Sequence, residues 1–135
     1  MGTAVIVSGP RGRATLLVSA AGLAPGAHGI HLHAVGKCEG PGFTSAGGHL
    51  NPAGKQHGLR NPNGSHLGDM PNLAVAANGT ATLSHGLGMS AQALLADLFD
   101  ADGTAIVIHA GRDDQVTDPA GDSGGRVSCG VFAPA

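Results

Sequence analysis

Eight histidines stand out in this chain of 135 residues, and their spacing says more than their number. His31 and His33 sit two apart in residues 29–35, where they alternate with Ile30, Leu32 and Ala34. On a strand, side chains at i and i+2 project from one face, so both imidazoles can grip a single ion. An HxH pair alone is a weak signal. Further on, His49, His57, His66 and Asp69 fall within residues 36–71, a stretch of Gly, Pro, Asn and His without apolar period. A lone loop histidine is ordinarily solvated and idle. Three of them with a carboxylate supply the four nitrogen and oxygen donors of a tetrahedral zinc site. A metal would also order so long a loop, because binding free energy becomes folding free energy. His109 ends the run Ile106-Val107-Ile108 and could join His31 and His33.

The donors divide into two sets if His49 offers one ring nitrogen to each of two ions. His31, His33 and His109 then complete one group of four, and His57, His66 and Asp69 the other. An imidazole shared in this way has lost both ring protons, which two adjacent cations make cheap. The nitrogen-only set suits copper cycling between Cu(II) and Cu(I), and the three-histidine, one-carboxylate set suits redox-silent Zn(II). His85, in Leu83-Ser84-His85-Gly86, reads as an exposed turn residue. Asp114, Asp118 and Asp122 read as turn formers or solubilising loop residues. Lys37, Lys55, Arg60 and Arg112 lie on loops, where ordinary solvated charge accounts for them as well as any role in steering an anion.

The elements that must position these groups are short. Residues 3–7 and 14–20 read as strands, separated by a turn at Pro10-Arg11-Gly12, with a Gly/Pro turn at 22–26 before the HxH strand. After the long loop come a strand at 73–77, an Asn78-Gly79 turn signal and a strand at 80–84. Residues 94–99 and 104–109 read as a strand pair around Asp102-Gly103, and 91–95 form at most one helical turn. A second loop, 110–125, leads into a last strand at 126–132. With 24 Gly, 8 Pro, no Trp, no Tyr and 3 Phe, the core rests on Val, Ile, Leu and Ala. The expectation is one domain over residues 1–135, an all-β sandwich or barrel carrying two functional loops.

A formal net charge of −2 with no basic run gives no indication of nucleic acid as a partner. No run of 18 apolar residues offers a membrane span, and Met1 is not followed by the basic and apolar regions of a signal peptide. Cys38 and Cys129 are either two unrelated buried thiols or a disulfide. In the second case the chain belongs in an oxidising compartment.

The segments Gly29-Ile30-His31-Leu32-His33, Gly47-Gly48-His49-Leu50-Asn51-Pro52, His57-Gly58, His66-Leu67-Gly68-Asp69 and Gly125-Arg126-Val127-Ser128-Cys129-Gly130-Val131 resemble the copper/zinc superoxide dismutases. The intervals between His49, His57, His66 and Asp69 match that family's zinc loop. Lys37-Cys38-Glu39 and Thr117-Asp118-Pro119-Ala120-Gly121 are closest to its bacterial branch. The resemblance covers residues 24–131. It implies copper on His31, His33, His49 and His109, and zinc on His49, His57, His66 and Asp69. It further implies a Cys38–Cys129 disulfide and an Asp113 carboxylate that hydrogen-bonds copper and zinc ligands together. Arg126 would lie beside the open copper position, and His28 would be a structural histidine bonded to backbone. The implied fold is an immunoglobulin-like Greek-key β-sandwich or flattened barrel, nominally of eight strands. The implied reaction is dismutation of superoxide anion to oxygen and hydrogen peroxide in a ping-pong copper cycle, with Arg126 and His49 as the catalytic groups.

One departure is visible. The family fits three strands ahead of the first copper histidine, whereas only two convincing ones precede His31 here, so an edge of the sandwich would stand open unless a second copy of the chain, as a homodimer, covers it. The disulfide implies a periplasmic or other extracytoplasmic location. Two other readings fit less well. A non-catalytic copper-binding or delivery domain would be signalled by loss of Arg126, His49 or a zinc donor, and none is lost. A zinc hydrolase would want an open zinc position.

Overall fold

The computed structural model describes residues 2–9, 12–40, 42–118 and 120–133, so the expected turn at Pro10-Arg11-Gly12 lies outside them except for Gly12. The elements run β1 (Gly2–Ser8), β2 (Arg13–Ala20), β3 (Gly26–His28), β4 (Ile30–His33), β5 (Leu73–Val75), β6 (Ala81–Ser90), α1 (Ala91–Leu98), β7 (Ala105–His109) and β8 (Arg126–Val131). All pairings of these strands are antiparallel, in the orders β1-β2-β6, β3-β5 and β4-β7-β8. The result is a β-sandwich that does not close into a barrel.

Alternation builds its interior. Leu16 and Val18 of β2, Ala81 and Leu87 of β6, Leu73 and Val75 of β5, Ile30 and Leu32 of β4 and Ile108 of β7 form one buried cluster. The opposite face of β4-β7-β8 is also covered. There Ala105 and Val107 pack with Ala46, Cys38 and Cys129 in a second, smaller cluster beneath the long loop. Every residue of β4 is therefore buried: Ile30 and Leu32 belong to the main core, and His31 and His33 alternate with them.

Several expectations need correction. Three strands, not two, precede His31, because residues 26–28 form a short strand on β5, broken from β4 only at Gly29. Residues 94–99 are not a strand. They lie in and after an eight-residue helix whose start is capped by the Ser90 hydroxyl accepting from the Ala93 N–H, and whose Leu94 and Leu98 are buried. Leucines four apart on a helix share a face, and this spacing defeated a reading by β-propensity. The strand expected at 80–84 continues to Ser90, which places His85 half-buried in mid-strand opposite Leu16 rather than in a turn. No strand is therefore missing ahead of His31, although β1 is still an edge strand among the described residues, with Val5 and Val7 exposed.

Candidate metal centre

Four histidines meet on the outer face of the β4-β7-β8 sheet. The ladder sets His31 opposite Val107 and brings His109 beside Arg126 at a bulge, while His33 bridges to His49 in the loop. One ring nitrogen of each of His31, His33, His49 and His109 lies within 4.8 Å of the others, and all four residues are buried. The tautomers follow from the neighbours. His33 donates Nδ1–H to the Gly47 carbonyl at 2.8 Å, His109 donates Nδ1–H to the Gly124 carbonyl at 3.1 Å, and His31 donates Nε2–H to Asp113 at 2.6 Å. In each ring the other nitrogen is left with a lone pair. Those atoms, His31 Nδ1, His33 Nε2 and His109 Nε2, together with His49 Nε2, are buried without a hydrogen-bond partner. Buried polar atoms are nearly always satisfied, so four converging orphans are the signature of a cation that fits there.

A second group stands on the other side of His49. Its Nδ1 lies 3.1 Å from His66 Nδ1 and 3.0 Å from Asp69 Oδ1, and His57 Nδ1 lies 2.8 Å from the same oxygen. His66 Nδ1 is 3.5 Å from that oxygen. A tetrahedron with metal–ligand distances near 2.05 Å has edges of about 3.3 Å, close to these four contacts. The second set whose donor atoms all lie within 4.8 Å of one another is His31, His49, His57 and Asp69, with His66 reaching it through His49 and Asp69. His31 also crowds this group, its ring stacked on His49 with centroids 3.9 Å apart. The reason is Asp113, whose two oxygens accept from His31 Nε2 and from His57 Nε2, the latter at 2.8 Å. Gly121 lets the second loop close over this carboxylate. Its φ is +68°, and a Cβ there would collide with Asp113 Oδ1.

The electrostatics divide along the same line. Burial drives the His31 pKa down to about 4 despite Asp113, and drives His33 down to about 2, with the charges of His49 and Arg126 adding to the effect. Burial also lowers His66 and His109. His57 is opposite: burial works against its charge, but hydrogen bonds to Asp113 and Asp69 win and raise it to about 9. Burial likewise opposes the charge on Asp69 and Asp113. Bonds from His49, His57 and the Gly58 N–H hold Asp69 well below the usual carboxylate range, and bonds from His31, His57 and the Gln115 N–H do the same for Asp113. The neutral strand-borne imidazoles with free lone pairs and the ionised carboxylates are the protonation states that metal binding requires, and His57 would give up its proton on binding a metal.

Arg126 donates to the Phe43 and Gly47 carbonyls, both at 2.7 Å, so one backbone oxygen at Gly47 fixes His33 and the guanidinium together. The Cys38–Cys129 disulfide is present, with a Cα–Cα distance of 5.6 Å, and ties the first loop to β8. His28 is buried with its ring nitrogens 2.7 Å from the His109 and Ala24 carbonyls. Asp118 does more than solubilise: it accepts from the His57 N–H at 2.8 Å and lies 3.8 Å from His66 Nε2. Sequence reading missed the carbonyls of Phe43, Gly47 and Gly124, which no side-chain identity encodes. It also missed Asn72 and Gln115, whose amides join the two loops.

The family profile described as copper/zinc superoxide dismutase matches residues 1–132. The chain is 45% identical over 125 residues to superoxide dismutase [Cu-Zn] 2 of Aquifex aeolicus, covering 85% of this chain and 69% of that protein. It is 41% identical to the superoxide dismutase [Cu-Zn] of Caulobacter vibrioides, covering 97% and 77%. Among solved structures, a superoxide dismutase-like protein from Bacillus subtilis superposes with a TM-score of 0.88 at 37% identity, over 98% of this chain and 89% of that one.

Proposed function

The chain belongs to the copper/zinc superoxide dismutase family, an oxidoreductase family whose cofactors are copper and zinc, and we propose how its residues divide the work of removing superoxide. His31, His33, His49 and His109 would hold copper. His49, His57, His66 and Asp69 would hold zinc, with the His49 ring shared. Bound copper supplies the one-electron chemistry, oxidising one superoxide to O₂ and reducing a second to hydrogen peroxide, beside a redox-silent zinc.

The chain's own groups do the rest. The Arg126 guanidinium is pinned by two carbonyls, so its remaining N–H groups form a fixed fork that binds and orients the small anion. Its charge offers a local attraction against a net charge of −2. When free of copper, His49 Nε2 is the ring atom suited to hold a proton and pass it to the departing peroxide, the other proton coming from solvent. The Nδ1 atom stays anchored among His66 and Asp69. Asp113 holds the rings of His31 and His57 in one orientation.

The observation that carries this reading is the set of four buried ring nitrogens without partners, three of them held as lone-pair acceptors by hydrogen bonds on the opposite ring atom. The test measures copper and zinc per chain together with superoxide consumption, in the wild type and in His49→Ala. One of each metal and a rate loss of at least about 100-fold are expected, since even partners beyond the ligands are worth about 10–100-fold. An unchanged rate in the variant removes the bridge, and a metal-free wild type removes the assignment. Likeness to a protein described only as superoxide dismutase-like favours one rival, a copper-binding or delivery domain, which would load both metals and consume no superoxide. The disulfide supports an extracytoplasmic setting, the periplasm in this reading. The exposed Val5 and Val7 at the β1 edge support a homodimer.

A further inference from the structure

Gln115 takes no part in the chemistry above, yet it is among the most constrained residues near the centre. It is buried and holds a left-handed backbone with φ 64°, a conformation that non-glycine residues seldom adopt. Its N–H donates to Asp113 Oδ1 at 2.7 Å, and its carbonyl accepts from the Arg60 N–H at 3.0 Å. Its side-chain Nε2 donates to the Met70 carbonyl at 3.0 Å, and its Oε1 accepts from the Leu59 N–H at 3.3 Å. Gly58 permits the approach, since a Cβ there would run into the Gln115 carbonyl. One residue of the second loop thus grips the chain next to Asp69, the chain just after His57, and the carboxylate that orients His57.

We propose that Gln115 is a positioning residue for the loop-borne metal site, holding His57 and Asp69 at ligand spacing by fastening their flanking backbone to the loop that carries Asp113. The inference rests on the assignment of His57, His66 and Asp69 to a metal. Nothing in β4 or β7 is bonded to the Gln115 side chain, so the four-histidine set should be far less sensitive to it. The clasp works through its amide because the same side chain must donate to one carbonyl and accept from one N–H, which neither a carboxylate nor an apolar isostere can do. Such outer partners typically set metal affinity by orienting ligands that they never share with the metal.

The test uses Gln115→Gly, which accepts the left-handed backbone without strain and keeps both main-chain bonds while deleting the side chain. Co(II) is titrated into metal-free protein, its visible d–d bands recorded and its affinity measured by chelator competition. Cu(II) affinity and the melting temperature of the metal-free protein are measured in parallel. A 10–100-fold loss of Co(II) affinity with altered bands is expected, against less than about a threefold change for Cu(II). Gln115→Asn, which also tolerates left-handed backbone but is one methylene shorter, should move both readouts in the same direction. It decides the matter if the glycine variant does not fold. Unchanged Co(II) affinity and bands would overturn the proposal. So would equal weakening of both metals in step with melting temperature, or failure of both variants to fold, each of which marks a merely structural residue. A wild type that binds no Co(II) would overturn the underlying metal assignment as well, and so separates the two failures.

Discussion

Two donor trios flank His49, and they are made in different ways. His31, His33 and His109 lie on β4 and β7, where the ladder fixes backbone spacing and the core beneath fixes which way each side chain turns. His57, His66 and Asp69 lie in a loop with no ladder of its own. His57 is held by hydrogen bonds to Asp113 and Asp118 of a second loop, whose Gln115 fastens the flanking backbone at Met70 and Leu59, and Asp69 meets the sheet through one bridge to His31. The strand-borne rings are driven toward neutrality by burial, whereas His57 is held charged by two carboxylates. The lesson is that a sheet can present a metal site already formed. A loop site must instead be assembled from polar contacts that the metal itself completes.

The largest effect should come from cutting the covalent tie between the two regions. Replacing both cysteines, Cys38→Ser with Cys129→Ser, opens a loop of 91 residues and should lower unfolding free energy by roughly 4–5 kcal/mol if unfolded-chain entropy dominates. Denaturant titration of the metal-free protein measures it, and a loss below about 1 kcal/mol would mean that polar contacts alone hold the loop. Removing the metals comes next. Amide hydrogen exchange in residues 57–69 and 111–125 should accelerate by about 100-fold, with β4 and β7 changing by less than about tenfold. Equal acceleration in both regions would break the distinction between a preformed and an assembled site.

A smaller effect sharpens the comparison from the strand side. Arg126→Ala should lower the second-order rate with superoxide by at least about tenfold and flatten its decline with added salt, while both metals remain bound. Loss of copper in this variant would instead show that the guanidinium supports the site through Gly47. The smallest effect expected is in the stability profile of the metal-free protein. His57, raised to about 9, contributes stability that is full below pH 6.5 and is lost as pH climbs through 9. His31, lowered to about 4, gives the reverse: the unfolded chain takes the proton first, so stability falls as pH drops from 6.5 through 4, and Asp69 and Asp113 extend that loss further into acid. Melting temperatures across pH 4–10 should therefore peak near pH 6.5. A peak displaced to pH 9 or above would refute the raised His57.

The candidate donors were legible because ligand chemistry is written in side-chain identity. His31 and His33 two apart on an apolar alternation could face only one way, and a histidine-rich segment without apolar period called for an organiser besides the few residues, Ala46, Leu50 and Met70, that it gives to the core. Resemblance of the local motifs extended this to Cys38, Cys129, Asp113 and Arg126. The helix at Ala91–Leu98 was not legible, because Leu94 and Leu98 in a short apolar run satisfy strand and helix patterns alike, and packing against the sheet chose between them. The strand at Gly26–His28 was hidden behind glycines.

The sequence by itself nominated the candidate donors and the class of chemistry, since nitrogen, oxygen and sulfur donors are properties of residues. Only the tertiary structure decided the tautomers, the unpartnered nitrogens and the hold on Arg126. These depend on the carbonyls of Gly47, Gly124 and Phe43, and every residue carries the same carbonyl. What distinguishes one backbone oxygen from another is where the fold places it.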